Sequence, residues 1–438
     1  MKIGWVTPLA RASAIGRVSA IVCDALAARG HDVEIIRCEM PEFVATESHA
    51  TSCKVTSIHD VPAEVAAERF DGVFLNIGDN FNFHGGVFNY LHRPFAIGII
   101  HDFYLFNLFN GWREHLKLPV SRASQEIVST YGPAFADAAL RAIHGEMTTT
   151  EIARSIPMAE WVARRCSGAI AHAKFYMPRL RAACGGVVDI ANLPWPGRDI
   201  AEPGARDGKL TIVTVGVVNP NKCADLVIDA LGRSDMLRDR LRYVLAGPID
   251  AALRHELESS ALDKGVEFGA LGSVTDEQLA EVLSNSDVMC CLRRPVLEGA
   301  SASVIEGMLS GRPTVVVDDG FYGELPNEYV VKVPPAFDSS DLARVLERLM
   351  SVSAEQRLAR GREAKAWASE EFSVDRYVEV IERVLREQIR MGPYLDLADQ
   401  VAARLNWLGI DSSGASAARF AGAIDSMRRF DAPSPHKI

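Results

Sequence analysis

The chain has 438 residues, 48% hydrophobic and 24% charged, which is enough for two domains that each bury a core of their own. A formal net charge of −10 excludes the basic footprint of a nucleic-acid binder, and no apolar run approaches the roughly 18 residues that a membrane span requires. The opening MKIGWVTPLA runs straight into a strand-like segment without the features of a signal peptide, so the expected location is the cytoplasm.

In chain order, Lys2 to Thr7 reads as a buried strand, Pro8 to Arg17 as a loop of small residues, and Val18 to Ala28 as an apolar-periodic helix that stops at Arg29-Gly30. His31 to Ile36 is the next strand, completing the strand-helix-strand unit of a parallel sheet. Phe70 to Ile77 and Phe95 to His101 read as further buried strands, and Asn110 to Ala169 as mostly helical. A Pro/Gly-rich loop from Asn192 to Gly197 and a polar segment from Ala201 to Lys209 precede a second series. There Leu210–Gly216, Leu241–Ala246, Val288–Leu292 and Thr314–Val317 read as strands, and Cys223–Leu231 and Glu277–Ser284 as helices. From Asp341 the pattern is helical, with an appended helical tail beyond Arg390 that ends in Ala-Pro-Ser-Pro-His-Lys-Ile. Two doubly wound α/β units in tandem leave a cleft between the carboxyl ends of their strands, where ligands bind in such sheets. The eight cysteines show no Cys-x-x-Cys spacing and fit packed thiols better than disulfides or zinc ligands.

The stretch LRRPVLEGASASVIEGMLSGRPTVVV carries two acids, Glu298 and Glu306, within small and apolar residues. One reading is structural: Ser303 and Glu306 form a capping box, Gly311 is the left-handed residue after the helix, Pro313 ends it, and Glu298 is a solvated loop acid. The other is functional: Gly299, Ala300, Ser301 and Ala302 keep side chains short where the first amides of a helix point outward, so a phosphate can approach the positive end of the dipole. Glu298 and Glu306 would then meet hydroxyls on either side, because a carboxylate accepts two hydrogen bonds from a vicinal diol. That arrangement fits a nucleoside diphosphate sugar.

Glu-x7-Glu after a strand, together with Gly272-to-Leu279, Ser286-Asp-Val288 and the Val215-Gly216-to-Lys222 loop, resembles the donor site of retaining GT-B glycosyltransferases of family 4. The resemblance extends over most of residues 1–390. It implies two Rossmann-like domains facing a cleft, an acceptor-side domain at 1–197, a donor domain at 205–375, and C-terminal helices at 376–438 whose first part crosses back to the N-terminal domain. It implies a pyrophosphate contact for Lys222 and donor contacts for Gly16, Glu298, Gly299, Ala300, Ser301 and Glu306. The family's arginine after the strand glycine is absent here, where Val217 stands, and Arg293 is the expected substitute. On the acceptor side, Asn76-Ile-Gly-Asp-Asn80, His84 and His101-Asp102 resemble bacterial relatives. His101 is expected near the reacting centre, with Asn80, His84, Asp102 and Arg17 toward the acceptor; Asp102 could instead cap the helix that follows.

The resemblance implies transfer of a sugar from a nucleotide-sugar donor to a saccharide or glycoconjugate acceptor, with retention, in bacterial polysaccharide or glycan synthesis. No metal and no other cofactor is expected, since no Asp-x-Asp stands in a metal-binding context; Asp318-Asp319 is the exception to examine. A catalytically silent GT-B protein that binds a nucleotide or glycan and acts through partners is the alternative. Peripheral association with the inner face of the membrane is open, with Phe103 to Trp112 as the aromatic candidate, and the tail leaves homo-oligomerisation open.

Overall fold

The computed structural model describes residues 1–92, 94–198, 200 and 208–408, apart from the side chains of 399 and 406. Two parallel sheets form the molecule, and both strand orders reverse once. The first has the order β3-β2-β1-β4-β5-β6-β7, with β1 (Lys2–Thr7), β2 (Asp32–Arg37), β3 (Lys54–Ser57), β4 (Gly72–Ile77), β5 (Ala96–Ile100), β6 (Gly168–Ala171) and β7 (Val187–Ile190). The second has the order β10-β9-β8-β11-β12-β13, with β8 (Leu210–Val215), β9 (Leu241–Ala246), β10 (Phe268–Ala270), β11 (Val288–Cys291), β12 (Thr314–Val317) and β13 (Val330–Val333). Runs such as Thr-Val-Val-Val in β12 are buried on both faces, as strands sandwiched between helices must be.

The reversals fall between β1 and β4 and between β8 and β11, and these points place the site. At the first, the Asn76 side-chain amide donates to the Val6 carbonyl at 3.0 Å, tying β4 to β1. At the second, Ser303 Oγ lies 3.3 Å from the Val215 carbonyl, tying the helix Ala302–Leu309 to the end of β8.

Several boundaries differ from the sequence reading. The first helix spans Ala14–Ala28, because Ser13 caps it by accepting from the Gly16 amide, so Gly16 sits inside the helix and not in the loop. The helix Val374–Trp407 is continuous, so there is no separate tail starting at Arg390. It packs on the first helix, β4 and β7, and so returns to the N-terminal sheet. Arg383 pairs with Asp189 at 2.7 Å and His31 with Glu382 at 2.9 Å. A Cβ on Gly72 would stand 2.4 Å from Leu385, so bare backbone is what lets this helix seat on β4. The segment 201–207 and the chain end after 408 lie outside the described residues.

The aromatic stretch from Phe103 to Trp112 is core and not a membrane face. Phe103, Tyr104, Phe106 and Phe109 are buried, and Trp112 packs against Phe88, Phe109 and Trp161. Among the described residues no helix is long and apolar enough to cross a membrane. All eight cysteines are free thiols, seven of them buried.

Candidate active site

The two sheets meet through their loops. Tyr104 N donates to the Leu297 carbonyl at 2.9 Å, Gly299 N donates to the His101 carbonyl at 2.8 Å, and Asp102 and Glu298 face each other across this short antiparallel bridge. The loop carrying the first glutamate is thus paired, backbone to backbone, with the loop carrying the histidine and aspartate. Gly299 is required by this approach: a Cβ there would lie 2.5 Å from Tyr176 Oη and 2.9 Å from the His101 carbonyl. Beside the bridge a cavity of about 120 Å³ is lined by His101, Asp102, His172, Trp195, Ala300 and Ala302 among others.

On the C-terminal side, the helix Ala302–Leu309 starts at Ser301 without a side-chain cap. Val304 N donates to the Ser301 carbonyl at 3.1 Å, no partner of the Ala302 and Ser303 amides is found among the described residues, and the small residues Gly299 to Ala302 leave room for a ligand beside them. The expected capping box is absent. Ser303 turns its hydroxyl to β8, while Glu306, buried about one turn in, points to the linker. Gly311 does take the left-handed conformation after the helix, with φ +74°. Lys222 is buried beneath Gly216 and donates through Nζ to the Val215 carbonyl. Burial, with Arg293 nearby, pushes its amine down to about 7. Lys222, Gly216 and the open helix start thus converge at the reversal between β8 and β11.

Glu298 accepts from Arg293 Nε at 2.8 Å and from the Tyr322 hydroxyl. Burial pushes this carboxyl up, but the Arg293 guanidinium and the tyrosine hydroxyl outweigh it and hold it below the usual carboxylate range. Arg293 is itself buried, so the expected substitute for the missing arginine is committed to Glu298 in this state, while Val217 is exposed. Glu306 has both oxygens occupied: Trp195 Nε1 donates at 2.7 Å and Arg198 Nε at 3.0 Å. Arg198 also reaches Asp276 at 2.7 Å, and Arg17 reaches the same carboxylate at 2.9 Å while stacking over the Trp195 ring.

On the N-terminal side, β5 and β6 deliver His101 and His172 side by side. The Val6 carbonyl takes the Asn76 amide hydrogens and the Ala191 carbonyl takes His172 Nδ1–H at 2.7 Å, so Asn76 Oδ1 and His172 Nε2 both turn lone pairs toward His101, at 3.0 and 3.1 Å. A neutral His101 can donate from Nε2 to Asn76 Oδ1 or from Nδ1 to His172 Nε2 but not to both, so the second contact is made only when one of the two rings takes a further proton. Burial, with His172 and His84 nearby, pulls the other way and holds His101 well below its ordinary value. The ring is caught between its partners and its surroundings, at the wall of the cavity.

The other acceptor-side candidates separate. Asp102 accepts from the Asp79 amide at 2.9 Å, and burial, reinforced by Glu298, raises it to about 7. It does not cap the following helix: Asp79 does, accepting from the Asn107 and Leu108 amides at 2.8 and 3.0 Å. Asn80 caps the short turn Phe81–His84. His84 is buried behind the site, with Nδ1 on the Asn76 carbonyl at 2.9 Å, and burial brings it down to about 4. A Cβ on Gly16 would meet the Pro8 carbonyl at 2.5 Å, so that glycine serves the packing of the first helix on its loop. Asp318 pairs with Lys332 at 3.1 Å and Asp319 caps the helix Gly320–Glu324. Among the described residues no cluster of three or more His, Cys, Asp or Glu side chains is arranged to hold a metal ion.

Sequence reasoning missed His172, Tyr322, Trp195 and Arg198. His172 had a readable signal, a polar residue directly after an apolar strand; Tyr322 and the linker pair did not, being brought in from distant positions.

Two parallel Rossmann-like sheets facing a cleft, with a helix crossing back, define the GT-B architecture. The model of the family described as glycosyl transferases group 1 matches residues 197–367. No curated protein sequence matches the chain. Solved structures similar to it include HepE of Anabaena in complex with UDP and glucose, at 16% identity and TM-score 0.58, covering 88% of this chain and 99% of that one. Sucrose-phosphate synthase of Thermosynechococcus elongatus is similar at 15% identity and TM-score 0.59, over 88% and 98% of the two chains. WaaG, a glycosyltransferase involved in lipopolysaccharide biosynthesis, is similar at 12% identity and TM-score 0.55, over 87% and 99%.

Proposed function

We propose that the chain is a retaining glycosyltransferase that moves a sugar from a nucleoside diphosphate sugar to a saccharide or glycoconjugate acceptor, in bacterial polysaccharide or glycan synthesis. The observation that carries this reading is the convergence of buried Lys222, Gly216 and an uncapped helix start, flanked by Glu298 and Glu306, opposite His101 and Asp102. Amides and a lysine suit a diphosphate, and the two acids suit the hydroxyls of sugar and ribose. The family match over 197–367 supports the class, and the complexes of HepE with UDP and with UDP-glucose support a uridine donor.

In the proposed reaction the bond from the sugar's anomeric carbon to the leaving diphosphate breaks while the acceptor oxygen bonds to the same face. The acceptor's proton passes to the departing phosphate oxygen, and Lys222, Arg293 and the helix amides stabilise the charge that develops there. These cations belong to the chain itself, so the proposal requires no metal. It places the protein in the cytoplasm, at the inner face of the membrane where the acceptor is lipid-linked.

Calorimetric titration with UDP, GDP and ADP, in the presence of a chelator, tests the reading. One nucleotide should bind, and Glu306→Ala should weaken it by about tenfold or more. Glu298→Ala should leave nucleotide affinity nearly intact but cut turnover by about a hundredfold. If none of the three nucleotides binds, the transferase reading falls. Nucleotide binding without transfer or donor hydrolysis would favour a silent binding protein instead, an alternative supported by Val217 and by the engagement of Arg293 with Glu298.

A further inference from the structure

On the far side of the interdomain bridge from the cavity lies a second recess of about 810 Å³ at the carboxyl ends of β11, β12 and β13. His101, Asp102 and Ala300 line the cavity, whereas Phe103 and Val296 line this groove, so the bridge forms the wall between them. Four guanidinium groups from three separate segments border it: Arg154, Arg179, Arg293 and Arg294. In a chain of net charge −10 this concentration is not the average surface.

The four are not equivalent. Arg293 is paired with Glu298 and Arg179 with Glu160. Arg154 and Arg294 are exposed, and no ion pair to either is found among the described residues. Arg294 is held in place, with Nη1 on the Phe337 carbonyl at 2.8 Å and its plane 5.4 Å from that ring. The one carboxylate of the lining, Asp319, is turned to the Gly320 amide as a helix cap. Phe103 and Phe175 pack edge to face at 5.3 Å and add an apolar wall beside the charges. Guanidinium groups without an ion pair, beside the edge of the partly buried Phe175, match a ligand that combines a phosphate with an apolar or ring-shaped body.

Resting on the transferase reading, we infer that this groove binds a phosphate group carried by the acceptor, with Arg154 and Arg294 as its ligands. The groove adjoins Glu298 through Arg293, so a phosphate held there sets the rest of the acceptor beside the carboxylate assigned to the donor sugar. Two sources share this chemistry, a free sugar phosphate and a saccharide carried on a polyprenyl phosphate in a membrane, for which polyprenyl phosphate itself is the probe of the phosphate contact.

The test uses the full chain with its donor site saturated by the nucleotide that binds it. One arm titrates glucose 6-phosphate against glucose; the other measures sedimentation with phosphatidylcholine vesicles that contain or lack polyprenyl phosphate. In at least one arm the phosphorylated partner should bind about tenfold more tightly than the neutral one, and Arg154→Gln with Arg294→Gln should remove that preference while leaving nucleotide affinity unchanged. The responding arm names the source. Equal binding of phosphorylated and neutral partners in both arms, or a preference that survives the double substitution, overturns the inference. Because nucleotide binding is measured first, a chain that binds nucleotide but ignores phosphate refutes the groove alone. A chain that binds no nucleotide refutes the transferase reading, and with it this assignment.

Discussion

Gly299 and Lys222 are the residues whose chemistry is most constrained by position. Gly299→Ala would drive a methyl group into Tyr176 Oη and the His101 carbonyl, and the neighbours are backbone and a packed ring. A destabilisation of about 1–3 kcal/mol is expected, read as an earlier thermal midpoint, together with lost turnover. No change in either would mean that the interdomain bridge does not form. For Lys222 the sign is worked out from its depressed value. With the amine at about 7 in the fold and near 10.5 when unfolded, the unfolded chain binds the proton more tightly between these limits. Its contribution to stability is complete above the upper limit and lost as pH falls toward about 7. Diphosphate binding needs the charged amine, so nucleotide affinity should strengthen as pH falls through about 7. Titrations over about pH 6 to 9 should show this step in the wild type and not in Lys222→Met. A step that persists in the variant would assign it to another group.

At the scale of the element, the linker between the sheets is the unexpected participant. Trp195 and Arg198 occupy both oxygens of Glu306, the carboxylate that the proposal assigns to the ribose. Donor and linker therefore compete for the same acid. Trp195→Phe keeps the ring but removes the N–H, and nucleotide affinity should rise by a few-fold up to about tenfold in calorimetry. An unchanged or weaker affinity would show that the linker does not compete. Elements rich in β-branched residues, such as β8 and β12, were legible in the sequence because burial on both faces demands such composition, and the wholly apolar Val-Met-Cys-Cys of β11 was legible for the same reason. β3, Lys-Val-Thr-Ser at the sheet edge and partly exposed, and β6, Gly-Ala-Ile-Ala, were not: one is half polar and the other small, so neither stands out from a loop. The acids Glu298 and Glu306 were visible because their spacing is local. Their partners Tyr322, Trp195 and Arg198 were not, because only the closed fold brings them within reach.

For the whole molecule, the arrangement of the strands decides where chemistry can occur. Both reversals of strand order face the same cleft, and the helix Val374–Trp407 returns from the second sheet to pack on β4 and β7 of the first. The two sheets are thereby joined at the rear by that helix and at the front by the bridge of Tyr104 and Gly299 to Leu297 and His101. The front joint uses main-chain atoms only, so most side-chain replacements along it would leave the pairing itself unaltered. Opening the cleft must unzip these two backbone hydrogen bonds, about 1 kcal/mol each, together with the Arg17–Asp276 ion pair and the bonds from the Lys174 and Phe175 amides to Glu324. On the proposed function the joint would act as a latch, released and remade within each catalytic cycle. The exit of products, and not bond-making, would then set the pace of turnover.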